Sequence, residues 1–147
     1  MKNCKYFDSY LDTETDITRR KQLSMASFLL LKSRLTNKKI SLRVRMRIFN
    51  AYVTNIFLYN SELWTLTKKL ENMIDVFHRK LLRHIIGRFY PKNISNLSLY
   101  KVTKQNSWSN VIRMRRLRWT GHILRLDINS PCNRALNIYK THKGKLK

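Results

Sequence analysis

The chain reads as all-α: a three-helix antiparallel bundle followed by a basic helical C-terminal region. Three observations point there. Only three Gly and two Pro occur in 147 residues, which leaves little material for the tight turns of hairpins. Apolar residues recur every three or four positions over long stretches, the period of a helix buried on one side. Ser or Thr stands at the start of those stretches and a Gly at the end of one, where helices are capped. The length suits about one domain, and 43% hydrophobic residues are enough for a core.

Taken in order, Lys5 to Leu11 alternates weakly and reads as a short strand remnant, with no evident partner. Thr13 and Asp16 have capping-box spacing and open a first helix, whose face Ile17, Ser24, Phe28, Leu31 and Leu35 is interrupted by Lys21. Asn37-Lys38-Lys39 is a basic turn. Ser41 caps a second helix, about 42 to 59. Its first stripe is Leu42, Met46, Phe49, Val53, Ile56 and Phe57. Its second is Val44, Ile48, Ala51, Tyr52 and Tyr59. Apolar over most of its circumference, it is expected to be central. Thr67 caps a third helix that ends at Gly87, with Leu70, Met73, Ile74, Phe77, Leu81 and Ile85 inward and Arg79, Lys80 and Arg83 behind. Short connections make the three an antiparallel bundle. Arg88 to Pro91 breaks the helix. Ser95 or Asn96 caps a short helix through Lys101, a polar link runs from Thr103 to Ser107, and a weak helix is expected at 133 to 139 before a basic, frayed tail.

Charge narrows the function. There are 31 Lys and Arg against 8 Asp and Glu, a formal net charge of +23. Four of the acids and only two of the basic residues fall in the first 17 positions, so residues 18 to 147 carry 29 basic and 4 acidic residues, a net of +25. Such self-repulsion is offset by an anionic partner, with nucleic acid ahead of an anionic membrane surface. The longest apolar runs, Phe28 to Leu31 and Ile56 to Tyr59, fall far short of the ~20 residues that span a bilayer. Cys4 and Cys132 make no disulfide framework, and the polar, acidic start is no signal peptide. A nuclear or cytoplasmic protein, not a secreted one, is expected.

The charge is best organised between Trp108 and Leu126. In a helix, Trp108, Ile112, Trp119, Ile123 and Leu126 share one side and face a core. Arg115, Arg118, His122 and Arg125 share a neighbouring face with no acid among them. An amphipathic helix with an uncompensated cationic ridge suits polyphosphate; the alternative is a solvated face without a partner. The candidate nucleic-acid-binding residues are Arg113, Arg115, Arg116, Arg118, His122 and Arg125 here, with Arg43, Arg47, Arg79 and Arg83 on the bundle. Trp108 and Trp119 are expected in the core rather than as base-stacking platforms; Tyr6, Tyr10 and Tyr90 are freer to stack.

Catalytic chemistry finds little support. Two-metal catalysis needs convergent carboxylates, and the one cluster, Asp8, Asp12, Glu14 and Asp16, sits where acids cap helices. Glu71 and Asp75 are expected on an exposed face, offsetting local charge. His78 and His84 lie on opposite edges of their helix's apolar stripe, and a site shared by His122 and Cys132 needs a reversal at Pro131. No Gly-rich phosphate loop and no nucleophile elbow occurs.

Five stretches, in matching order and spacing, resemble one family, the non-LTR (LINE-like) retrotransposon endonuclease-reverse transcriptases. Lys5-Tyr-Phe-Asp-Ser-Tyr-Leu11 resembles the "KYLGS-x-I" that follows the catalytic palm. Leu58-Tyr-Asn-Ser-Glu-Leu-Trp64 is similar to "LYGxExW", and Phe77 to Gly87 to "FxRxxLRxIxG". Ile94-Ser-Asn96 through Tyr100 resembles "ISNxxLY", and Arg115 to Arg125 "RRLRWxGHxLR". The resemblance implies that residues 14–90 form a thumb resting on template-primer duplex. Residues 1–13 would then be the remnant of a palm-thumb junction, 91–139 a nucleic-acid-binding region and 140–147 a disordered basic tail. It implies that the palm aspartates and their Mg²⁺ lie outside this chain, leaving it without a cofactor or activity of its own. Asp8 and Asn60 stand where the family has Gly; both types tolerate the left-handed backbone better than most. The departures fit a decayed or truncated element copy. The remaining alternatives are a stand-alone helix-turn-helix regulator, against which the 101–109 link is long, and an intact polymerase or nuclease, against which the missing carboxylate set weighs.

Overall fold

The computed structural model describes residues 5–6, 9–10, 12–88, 94–127 and 129–144 and is all-α. The expected strand at the start finds a partner within the chain: β1 (Lys5–Tyr6) and β2 (Ser9–Tyr10) pair antiparallel, Lys5 opposite Tyr10 and Tyr6 opposite Ser9. Asp8 and residues 89–93, Tyr90 among them, lie outside the described residues, as do the side chains of Tyr6 and Tyr10.

α1 (Thr13–Leu30) is capped by Asp12, one residue before the expected cap. The Asp12 carboxylate accepts from the Thr15 backbone N–H at 2.8 Å and from the Thr15 hydroxyl, and these bonds hold its pKa below the usual carboxylate value. The capping-box reading of Thr13 and Asp16 is thereby corrected, because both point to tertiary partners instead. Thr13 Oγ1 accepts from the Thr65 N–H at 3.2 Å. Asp16, fully buried, accepts from the Trp64 indole at 2.9 Å and stands 3.8 Å from Arg20. An ionised group is buried at tolerable cost only when bonded in this way. The face Ile17, Ser24, Phe28 and Leu35 is buried as expected, with a break at Leu31 before α2 (Lys32–Leu35). Lys21, the interruption, lays its ammonium 5.5 Å from the Phe77 ring centroid.

Ser41 caps α3 (Leu42–Phe49), which continues through a π-helical turn, Asn50–Thr54, into α4 (Asn55–Phe57). Ser27 of α1 donates to the Tyr52 carbonyl at 3.0 Å, supplying a donor where the regular ladder is dislocated. Met46, Phe49, Val53 and Phe57 are buried, but Val44, Ala51, Tyr52 and Tyr59 of the second stripe are exposed. The helix is therefore covered on one side and not central all round. Tyr59 instead lies under the Arg20 guanidinium, 4.5 Å from its ring centroid. Asn60 has φ 55° and ψ 19°, a left-handed conformation that Asn tolerates better than most residues.

α5 (Lys68–Ile86) runs from Thr67, which accepts from the Leu70 N–H, to Gly87 at φ 72°, whose N–H returns to the Arg83 carbonyl at 2.9 Å. His78 and Leu82 join its expected buried stripe. A buried arginine ties the first elements to α5. Arg45 Nη1 donates to the Ile85 carbonyl at 2.6 Å and the Leu35 carbonyl at 3.4 Å, satisfying groups near two helix ends. α6 (Asn96–Thr103), capped by Ser95, and α7 (Trp108–Leu124) follow, then α8 (Pro131–Gly144), longer at both ends than the sequence indicated.

One hydrophobic cluster runs from Ile17 to Ile112, so α6 and α7 share a core with the three-helix unit. Trp108 is its centre. Its ring stacks 4.3 Å from Phe57 on an 18° tilt and 4.3 Å from His78 at 6°, with Phe77 at 6.0 Å. Burial pushes the His78 pKa down to about 3, Arg79 adding to the effect, so the imidazole is neutral. Neither of its nitrogens has a hydrogen-bond partner among the described residues.

Candidate nucleic-acid interface

α7 is held at one end and free along its middle. Its first turn carries four unsatisfied N–H groups, as every helix does. Ser107 caps it, accepting from Asn110, and Asp75 of α5 reaches across to take the Ser109 N–H at 3.0 Å and the Ser109 hydroxyl at 2.7 Å. One turn earlier on α5, Glu71 accepts from Arg113 at 3.3 Å and pairs with Lys68 at 3.6 Å. Glu71 thus offsets local charge as expected from its spacing, but it and Asp75 are partly buried rather than exposed, and both clamp α5 to α7. Negative charge at a helix N-terminus also complements the helix dipole.

Beyond Ile112 the rod leaves the core. Arg116, Leu117, Arg118, Trp119 and His122 are exposed, and burial returns only at Ile123, near α8, whose Asn133 amide donates to the Leu126 carbonyl at 3.1 Å. Trp119 is 48% exposed, which corrects its expected place in the core. It has the right helical phase, but the bundle does not extend far enough along α7 to cover it.

The ten candidate cations separate by partner. Arg113 is paired with Glu71, and Arg115 Nη1 donates to the Leu58 carbonyl at 2.6 Å, anchoring α7 to the chain just after α4. Arg79 lies beside His78 and Tyr100, and Arg83 donates to the Asn96 side chain at 2.7 Å. Arg116, Arg118 and His122 on α7 and Arg125 at its C-cap are exposed with no acid paired to them among the described residues. Arg43 and Arg47 are exposed on α3, along a groove shared with α6. Lys104, at the mouth of that groove, was not singled out from the sequence. Nothing in its neighbours shows that α6 and α3 meet.

His84 sets an edge against Phe28 at 6.2 Å, and burial followed by Lys32 and Lys80 lowers its pKa. Cys132 is an exposed free thiol. No group of three or more His, Cys, Asp or Glu able to hold a metal occurs among the described residues, and no described helix is long and apolar enough to cross a membrane. The link between α6 and α7 is Lys104–Ser107, shorter than read from the sequence, with Lys104 left-handed at φ 51°.

These features describe a basic, all-α protein with an exposed cationic helix. It is similar to an uncharacterized transposon-derived protein of Caenorhabditis elegans, with 26% identity over 117 residues, covering 75% of this chain and 40% of the relative. The chain thus spans well under half the relative's length. No family model and no solved structure matches it.

Proposed function

We propose that the chain is a nucleic-acid-binding part of a retrotransposon reverse transcriptase, which holds template-primer duplex by cation–phosphate contacts and performs no catalysis by itself. The observation that carries this is the exposed run Arg116, Arg118, His122 and Arg125, without acidic partners among the described residues, on a helix whose other end is clamped in the core. A rigid rod presents its charges at fixed spacing, so phosphate binding costs little backbone ordering and the ordering cost falls on the arginine side chains. Similarity to a transposon-derived protein supports the setting. In this reading the carboxylates of two-metal chemistry belong to another part of the parent polymerase. Contacts to about three phosphates release about as many counterions, so duplex affinity should fall roughly 50-fold between 50 and 200 mM salt. A titration across that range tests it; an affinity that does not respond to salt rules it out.

A second reading keeps one supporting observation. α6, the four-residue link and left-handed Lys104, then α7 have the dimensions of a helix-turn-helix. Against it, Trp108 and Ser109 at the start of α7, where that motif reaches base edges, are buried. A protected footprint on one defined site that survives competitor DNA would select this reading.

A further inference from the structure

A groove of about 590 Å³ opens between α3 with the π-helical turn after it and the end of α6, and among the described residues none of α7 lines it. Its floor is aliphatic: Leu42, Met46 and Val102. Arg43, Arg47 and Lys104 stand around it, and no acid lines it among the described residues. Two carboxamides, Asn50 and Gln105, complete the wall; Asn50 Oδ1 accepts from the Thr54 hydroxyl at 3.3 Å and Gln105 Nε2 donates to the Lys104 carbonyl at 3.4 Å.

An apolar slot beside three cations and two amides matches a particular chemistry: a flat, weakly polar ring joined to a phosphodiester. We propose that this groove takes an unpaired nucleotide at the end of, or extruded from, the duplex bound by α7; the inference rests on the proposed function. The aliphatic floor packs against one face of a base, carboxamides pair with its edge, and Arg and Lys take the flanking phosphates. The volume lies within the range of ordinary small-ligand sites. An acidic amphipathic peptide would share the charge but would make little use of the carboxamides on the wall.

The test uses the full chain and fluorescence anisotropy on two hairpin duplexes, one blunt and one carrying a three-nucleotide single-stranded extension with 2-aminopurine at its second position. The extension is expected to tighten binding roughly five- to tenfold and to change the 2-aminopurine emission. Val102→Asp and Gln105→Glu place a negative charge in the groove and should each remove that gain while leaving blunt-duplex affinity unchanged. Gln105→Glu is isosteric on a loop, so it serves even if Val102→Asp loosens α6. An extension without effect, or a gain that survives both variants, overturns the groove assignment while leaving the duplex reading intact. Failure of the blunt duplex to bind overturns both. A glutamate-rich amphipathic peptide that binds the wild type and is lost in both variants, with no extension gain, gives the groove to a protein partner instead.

Discussion

Asp75 and Ser109 are joined twice: one carboxylate on α5 takes both the backbone N–H and the hydroxyl of a residue 34 positions away, at 3.0 and 2.7 Å. This contact decides where α7 starts and which way it leaves the bundle. Asp75→Ala is expected to cost about 2 kcal/mol, the range for hydrogen bonds to a charged group, measured by urea unfolding. A loss below ~0.5 kcal/mol would show that Ser107 suffices as the cap.

Arg115 and Arg118 are three residues apart with different duties. Arg118→Ala should leave stability within about 0.5 kcal/mol and reduce the magnitude of the salt slope of duplex binding by about 1. Arg115→Ala should lower the unfolding free energy by about 1–3 kcal/mol, because the partly buried Leu58 carbonyl loses its donor. Equal effects of the two on stability would contradict the assignment.

Trp108 and Trp119 form a second such pair. Trp108→Ala empties the centre of the core and is expected to cost about 3–5 kcal/mol. Trp119→Ala should change stability by less than ~1 kcal/mol, yet remove most of the fluorescence change seen on adding nucleic acid. Unchanged quenching in the Trp119 variant would show that its exposed face is not at the interface.

His78 makes stability depend on pH. Its folded pKa is about 3 against 6.5 for the free side chain, chiefly because burial penalises the charged ring. Between those values the unfolded chain binds the extra proton, so stability is full above pH 6.5 and is lost progressively as pH falls toward 3, by a few kcal/mol in all. His84, also lowered, acts with the same sign, and Asp12, lowered from 3.8, adds a loss that begins only as pH falls through 3.8. His78→Phe removes two buried nitrogens that lack partners and keeps the stack on Trp108. It should flatten the pH 4 to 6.5 portion of the melting-temperature profile without lowering stability at pH 7. A profile as steep as wild type would assign the effect elsewhere.

Asn60 carries the strain of a left-handed residue at φ 55°. Asn60→Val should destabilise by about 1–2 kcal/mol, and Asn60→Gly should be neutral or slightly stabilising. Chemical denaturation of the two variants checks the order.

Local chemistry was legible in the chain. Ser41, Thr67 and Ser95 cap the helices they precede, and Gly87 ends α5. Each needs information from only three or four neighbouring residues, so sequence spacing settles it. The all-α class follows from the same periodicity.

What only the tertiary structure decided is which polar groups are spent inside the molecule. Asp16 looked like a cap and is bonded to Trp64; Arg45, which no spacing in the sequence singles out, ties α2 to α5. Of the cations clustered around α7, Glu71 and the Leu58 carbonyl engage two and leave the outer ones exposed. Helical phase places a side chain on a face. Whether that face meets a core, an acid or solvent depends on how far the neighbouring helices extend, as Trp119 shows. That is a long-range property, set by packing and absent from any local window of residues.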